Sequence, residues 1–180
     1  MSELYEQPLP YEIINVDDHI TLRQLKLNEA DELFNLVDGN RHYLAEWLPW
    51  VDDTKSPADS EAFISSTLQK RQNGSEYGYG IIVDGKTVGH TSLMHVNDGI
   101  DPEIGYWISS DMSGQGITTK VADALTKFGF NNLSLNKIVI KADPKNTASN
   151  KVAEKLGYSL ISQETDPRIG LANVWALNRS

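Results

Sequence analysis

Residues 103–125 read Glu103-Ile-Gly-Tyr-Trp-Ile-Ser-Ser-Asp-Met-Ser-Gly-Gln-Gly-Ile-Thr-Thr-Lys-Val-Ala-Asp-Ala-Leu125. The stretch changes character twice. Ile104 to Ile108 is rich in aromatic and β-branched residues and predicts a strand. Ser110 to Ile117 is polar, carries Gly114 and Gly116, and predicts a loop. From about Thr118 the apolar residues Val121, Ala122, Leu125 and Phe128 recur at a helical period. Glycines at such a junction let the backbone turn tightly and approach a ligand. The first amides of a helix lack internal partners and carry partial positive charge. Strand, glycine loop and helix together therefore make an anion site suited to phosphate. Two glycines alone more often mark a plain strand-to-helix turn. Two common phosphate motifs are absent: Thr119 stands where a G-x-G-x-x-G needs its third glycine, and no G-x-x-x-x-G-K-[ST] run occurs.

The flanking segments are legible in order. Met1 to Asp18 has two early prolines, Pro8 and Pro10, and reads as an N-terminal arm with a short extended piece at Tyr11 to Val16. Residues 19–180 read as a single domain, a comfortable length for one core. Ile20 to Leu25 alternates and predicts a strand; Asn28 is placed to cap a helix through Val37, with Leu33, Phe34 and Val37 on one face. Asp38-Gly-Asn40 breaks that helix. Ser56-Pro57 starts the next, which runs to about Gln72 with Ala62, Phe63, Thr67 and Leu68 inward, and Asn73-Gly74 ends it. Tyr77–Val83 and Lys86–Val96 are strands joined by the hairpin turn Asp84-Gly85. After the helix ending near Leu133 come a strand at Lys137–Ala142 and a helix at Thr147–Leu156 closed by Gly157. Strands at Tyr158–Ser162 and Val174–Leu177 follow, with a polar loop at Thr165–Gly170 between. Strand, helix, strand in succession implies a right-handed parallel crossover. The fold class expected is α+β (mixed α/β), a mixed sheet with helices on both faces.

Composition excludes some chemistry. The chain of 180 residues has no cysteine, which removes disulfides, thiolate metal sites and a cysteine nucleophile. Its net charge of −9 repels nucleic acid and favours a cationic partner such as an amine. Nothing approaches a membrane span, and the N-terminus lacks the basic and apolar regions of a signal peptide, so no membrane partner and a cytoplasmic location are expected. His19, His42, His90 and His95 are too scattered for a metal signature, and none is expected. His90 and His95 are read as facing opposite sides of one strand.

The glycine loop resembles the pyrophosphate loop of the GNAT acetyltransferases. Their pattern, Gln/Arg-x-x-Gly-x-Gly/Ala, falls on Ser113-Gly-Gln-Gly116-Ile-Thr118; Gly116 matches, while Ser113 and Thr118 depart from it. Pro102-Glu-Ile-Gly-Tyr-Trp107, Asn146-x-x-Ser149 and Glu154-Lys-Leu-Gly-Tyr158 are similar to the branch containing the ribosomal-protein N-terminal (serine/alanine) acetyltransferases. Asn40-Arg-His-Tyr-Leu-Ala-Glu-Trp-Leu-Pro-Trp50 resembles that branch's Asn-Arg-x-x-Leu-x-x-Trp-Leu-Pro-Trp. These motifs span roughly residues 19 to 165 and recur in the right order.

The resemblance implies a GNAT-like fold: a mostly antiparallel central sheet whose one parallel pair splays apart. It implies acetyl-CoA as cosubstrate, with no metal. The diphosphate would lie on Ser113, Gly114, Gln115, Gly116, Ile117, Thr118 and Thr119. The pantetheine arm would pair with the backbone of Trp107, Ile108 and Ser109, and Asn146 would orient it. Glu103 would be the base or the anchor for the amine, on the rim of the site; its bland alternative is an exposed strand-end carboxylate. Ser149 would serve the departing thiolate, and Asn146 is also a plausible helix cap. Trp47 and Trp50, with His42, would form the acceptor wall; the same segment is also explained as a packed aromatic corner. The implied activity is acetyl transfer to a primary amine, foremost the N-terminal α-amine of a protein such as a ribosomal protein. A small-molecule amine (polyamine or aminoglycoside) as acceptor, or a non-catalytic acyl-CoA-binding module, remains open, as does a homodimer.

Overall fold

A computed structural model describes residues 8–180. One eight-stranded sheet runs through it in the order β1-β2-β3-β4-β5-β6-β8-β7. Its strands are β1 (Ile13–Asn15), β2 (Ile20–Arg23), β3 (Tyr77–Val83), β4 (Lys86–Met94), β5 (Glu103–Ile108), β6 (Lys137–Ala142), β7 (Ser159–Asp166) and β8 (Gly170–Asn178). Neighbours are antiparallel except β5 and β6, which are parallel. The helices are α1 (Ala30–Gly39), α2 (Arg41–Ala45), α3 (Pro57–Asn73), α4 (Ile117–Asn132) and α5 (Thr147–Lys155).

Alternation along the strands divides the helices between two faces. Tyr77, Tyr79, Ile81, Leu93, Ile104 and Ile138 pack against Val121, Ala122 and Leu125 of α4 and Val152 and Ala153 of α5. On the opposite face Leu33 of α1 and Ile64 and Leu68 of α3 cluster with Leu25 and the edge of Trp107. The expected α+β architecture with helices on both faces is present.

The parallel pair splays. β5 and β6 share a single register pair, Glu103 with Val139, reinforced by Val139 N–H donating to Pro102 O at 2.8 Å. Beyond it the strands diverge. Ser109 N–H donates to Val88 O at 2.8 Å, so the facing pair Gly89 and Ile108 lies between ladder bonds. The alternation of an antiparallel ladder then turns the amides and carbonyls of Trp107 and Ser109 toward β4, and those of Tyr106 and Ile108 toward the gap.

Several local expectations are met. The hairpin at Asp84-Gly85 has positive φ at both residues, 49° and 82°, as a type I′ turn requires. Ser56 and Asp59 form a capping box at α3. The extended piece of the arm is β1; the arm's first seven residues lie outside the described ones.

Other expectations are corrected. Asn28 does not cap α1: a 3-10 turn, Leu27–Glu29, leads in, and the Glu29 carboxylate accepts from Lys26 N–H at 2.7 Å. Ala62 and Phe63 face outward, because α3 buries Ser60, Ile64, Thr67, Leu68 and Arg71 instead. His95 lies beyond the end of β4, paired with Asp98 at 2.7 Å, so the two histidines do not share a strand. The polar loop at 165–170 shrinks to a turn at 167–169, because β7 and β8 pair out to Asp166 and Gly170.

Arg71 is 0% exposed and pairs with no carboxylate among the described residues. Its guanidinium donates to Gln24 Oε1 at 2.8 Å, Pro10 O at 3.1 Å, Tyr11 O at 2.9 Å and also to Gly78 O, and it lies 4.5 Å from the Tyr79 ring centroid. It thereby ties the arm to α3 and β3. Arg71→Met strands these acceptors in the interior, at about 1–3 kcal/mol for each buried group left unpaired. The expected loss is at least about 3 kcal/mol, a fall in Tm of roughly 6–12 °C in thermal unfolding.

Candidate active site

Three pieces of the sheet and its connections converge where β5 and β6 part. They line a cleft of about 770 Å³. Its lining includes Asn146 and Ser149 at the start of α5, together with Trp47, Trp50, Glu103 and Arg168.

The glycine loop lies beyond the C-terminal end of β5. A 3-10 turn, Ser110–Met112, follows the strand, and Gly114 and Gly116 then take φ of +76° each. Gly116 is the N-cap of α4 and has no side chain to cap it. Lys120 N–H donates to Gly116 O at 3.2 Å; ahead of it, the amides of residues 114–119 have no acceptor among the described residues. Side chains do not fill the corner. Ser113 Oγ turns back to Ser110 O at 2.7 Å, Gln115 Nε2 donates to Asp111 O at 3.2 Å, and a Cβ at either glycine would meet nothing within 4 Å. Ser113 through Gly116 are exposed. An uncapped 16-residue helix with open amides in front fits a diphosphate.

The segment before α3 reaches this loop. Asn40 Oδ1 accepts from both the amide and the hydroxyl of Ser110, at 2.9 and 3.0 Å. Arg41 donates to Val51 O at 2.6 Å and Thr54 O at 2.7 Å, closing the turn that carries Trp50. Both residues belong to the quoted motif, yet their work is to fix the wall and link it to the loop. Trp47 and Trp50 line the cleft, and Trp50 lies 5.8 Å from the Trp107 ring. His42 does not line it: α2 buries Leu44 and leaves His42 exposed.

At α5, Asn146 Oδ1 accepts from Ser149 N–H at 3.2 Å and so caps the helix. Asn150 Oδ1 accepts from Asn173 Nδ2 at 3.0 Å and Trp175 Nε1 at 2.8 Å, which locks α5 to β8. Ser149 Oγ is 3.0 Å from the Tyr106 hydroxyl, which is also 3.2 Å from Ser149 O. Burial pushes the Tyr106 phenol up to about 12, against the Ser149 hydrogen bond that lowers it. Tyr106 therefore stays a neutral donor at working pH. Tyr106 reaches the start of α5 from β5, a contact between residues 43 apart in sequence.

Glu103 sits differently from expectation. It is 5% exposed, a cleft wall rather than a rim. Arg168 Nη2 donates to both its oxygens, at 3.0 and 2.9 Å, and Lys141 Nζ stands 4.0 Å away. Arg168 also pairs with Asp166 at 2.9 Å, which holds the Asp166 carboxyl below its usual range and the guanidinium above its own. Burial works against the charge on Lys141, but the hydrogen bond it donates to Glu164 and the nearby Glu103 raise its pKa overall. Sequence reasoning left Arg168 in a polar loop. Of the three backbone positions expected to face the pantetheine arm, Ile108 faces the gap; Trp107 and Ser109 direct their amides to β4, and Tyr106 takes their place.

Known proteins are similar to this chain in sequence and in fold. Residues 19–159 match the acetyltransferase (GNAT) domain family, and the chain belongs to that family. It is 33% identical over 150 residues to YdaF of Bacillus subtilis (strain 168), a provisional ribosomal N-acetyltransferase by name, covering 79% of each chain. It is 27% identical over 150 residues to the ribosomal-protein-serine acetyltransferase of Escherichia coli (strain K12), covering 83% of this chain and 84% of that one. Among solved structures, the microcin C7 self immunity acetyltransferase MccE, in complex with acetyl-CoA and AMP, superimposes with a TM-score of 0.87 at 24% identity. That match covers 95% of this chain and 98% of the other. The protein is an acetyl-CoA-dependent N-acetyltransferase, which sets aside the non-catalytic module. Among the described residues no helix is long and apolar enough to cross a membrane.

Proposed function

We propose that this enzyme acetylates the N-terminal α-amine of a protein, a ribosomal protein foremost, in the cytoplasm. One observation carries the reading: a single cleft is lined both by Ser149, at the start of α5, and by aromatic and mostly acidic side chains. Its lining holds Glu46, Asp53, Asp59, Glu76, Glu103 and Asp143 against Lys70, Lys141 and Arg168. Such a lining favours a cationic acceptor. The likeness to two ribosomal N-acetyltransferases at 27–33% identity supports the protein acceptor.

Acetyl-CoA supplies the acetyl group as a thioester. The amides of Gly114 to Thr119 hold its diphosphate, Ile108 and Tyr106 offer backbone groups to the pantetheine arm, and Asn146 keeps the start of α5 beside it. The attacking nitrogen must be neutral. An α-amine has a pKa of about 8 and a lysine amine about 10.4, so freeing the α-amine is easier by roughly 3 kcal/mol. That difference suits a site whose buried carboxylate beside the splay, Glu103, is already held by Arg168. Glu103 keeps acceptor lone pairs beyond those bonds and anchors the incoming amine, or a water that takes its proton. As the nitrogen–carbon bond forms, the carbon–sulfur bond breaks, and sulfur keeps the electron pair. Ser149 hydroxyl donates a hydrogen bond to that sulfur.

Small amines are the second reading, because the acidic lining does not require a peptide. The test is thiol release with acetyl-CoA across N-terminal peptides, polyamines and aminoglycosides. Peptides are expected to lead in kcat/KM by at least about tenfold, the equivalent of one hydrogen bond. Release with polyamines and none with peptides overturns the protein reading.

A further inference from the structure

Among the described residues two buried side-chain polar atoms lack a hydrogen-bond partner, Ser109 Oγ and His90 Nε2, and of these two residues it is His90 that lines the cleft. His90 is 3% exposed, and neither of its ring nitrogens has a hydrogen-bond partner among the described residues; Nε2 is fully enclosed. Buried polar groups in folded proteins are overwhelmingly paired, so an unpaired one marks a place where a ligand or an ordered water belongs. The ring borders the cleft. It is held there by construction. In the sheet His90 faces Gly80 on β3 and Trp107 on β5. A Cβ at Gly78 would come within 3.2 Å of His90 Cε1 and 3.3 Å of Ser92 Oγ, so the absence of a side chain at 78 makes room for the ring. Phe63 covers it edge to face, with centroids 5.0 Å apart, and is itself 42% exposed. Phe63 is the residue that faces away from the core of α3; its place over His90 gives that orientation a purpose.

We propose that His90 is a specificity-determining residue that hydrogen-bonds the hydroxyl of the acceptor's first side chain, in a side pocket roofed by Phe63. The proposal rests on the protein N-terminus being the acceptor. Its ligand class is an N-terminal residue with a small hydroxyl side chain. Burial, with the positive charge of Arg71 nearby, holds the imidazole well below its usual range, at about 3. It is therefore neutral throughout the working range, too weak a base to take the amine's proton, and offers one donor and one acceptor. With Nε2 enclosed, a hydroxyl meets the ring at Nδ1, donating to it or accepting from it according to the tautomer. A neutral ring also adds no positive charge to a cleft that receives a cation.

The experiment compares kcat/KM for otherwise identical peptides beginning with serine and alanine, in the wild type, His90→Leu and His90→Gln. The wild type is expected to prefer serine by roughly tenfold, the size of one neutral hydrogen bond. His90→Leu is expected to bring the ratio close to one, and His90→Gln, which keeps a donor and an acceptor, to retain part of it. Thermal unfolding supplies the second readout. His90→Leu removes a buried polar group that has no partner, so its Tm is expected to equal or exceed that of the wild type. An unchanged serine-to-alanine ratio in His90→Leu, or an equal loss for both peptides, overturns the proposal while leaving the peptide acceptor in place. A wild type that turns over neither peptide removes both readings together.

Discussion

Gly116→Val raises the Kd for CoA at least about 100-fold in a calorimetric titration. Two effects act together. Gly116 sits at φ +76° as the N-cap of α4, and a β-branched residue is strained there. The backbone relaxes by turning the neighbouring amides away from the point where they converge. Losing two charge-assisted hydrogen bonds at about 1.5–3 kcal/mol each corresponds to 100-fold or more. A control separates binding from folding. Gly157, past the end of α5, also has positive φ, 85°, but lies outside the loop. Gly157→Ala is expected to lower Tm and leave CoA affinity unchanged.

The second large effect is on the leaving group. Ser149→Ala is expected to lower kcat by roughly 100- to 1000-fold, the usual result of deleting one donor aimed at developing charge. The helix survives the change, because Asn146 caps it through the backbone amide of residue 149. Tyr106→Phe shows how the donor is set. The tyrosine has one proton and two acceptors in reach, Ser149 Oγ at 3.0 Å and Ser149 O at 3.2 Å. If it donates to Oγ, the serine proton is free for sulfur; if it donates to the carbonyl, the serine proton is drawn to the phenol. A thiolate forming beside the serine selects the first arrangement. Tyr106→Phe should therefore cost kcat about tenfold in the wild type and almost nothing in Ser149→Ala, a non-additivity that unlinked structural roles do not produce. The pH dependence carries the same signature. With the phenol pushed up to about 12, kcat/KM rises through the acceptor amine near pH 8 and stays level to about pH 10.

Much of this site is local in sequence and could be read there. The glycine loop, the strand before it, the helix after it and the aromatic segment all announce themselves over short windows, by turn chemistry and by periods of two and 3.6. What escaped depends on partners far along the chain. Arg168 and Glu103 are 65 residues apart, Tyr106 and Ser149 are 43 apart, and only the sheet order brings either pair together. Glu103 looks like a strand-end carboxylate until β6 and the β7–β8 turn are laid beside it. His90 was set aside because four scattered histidines make no metal site, which is a sound argument about metals and no argument about hydroxyls. Arg71, near the end of α3, carries no signal in a short window, and it is the clamp on the arm because β3 lays Gly78 O and Tyr79 beside it. Phe63 was placed inward by its hydrophobicity; Ile64, one position on, takes the core and turns Phe63 to the cleft.

Everything proposed about chemistry depends on where the diphosphate sits. A crystal structure of the protein with CoA tests that directly. Diphosphate oxygens within about 2.7–3.2 Å of two or more amides from Gly114 to Thr119 are expected. A diphosphate bound elsewhere, with those amides facing only solvent, contradicts the account.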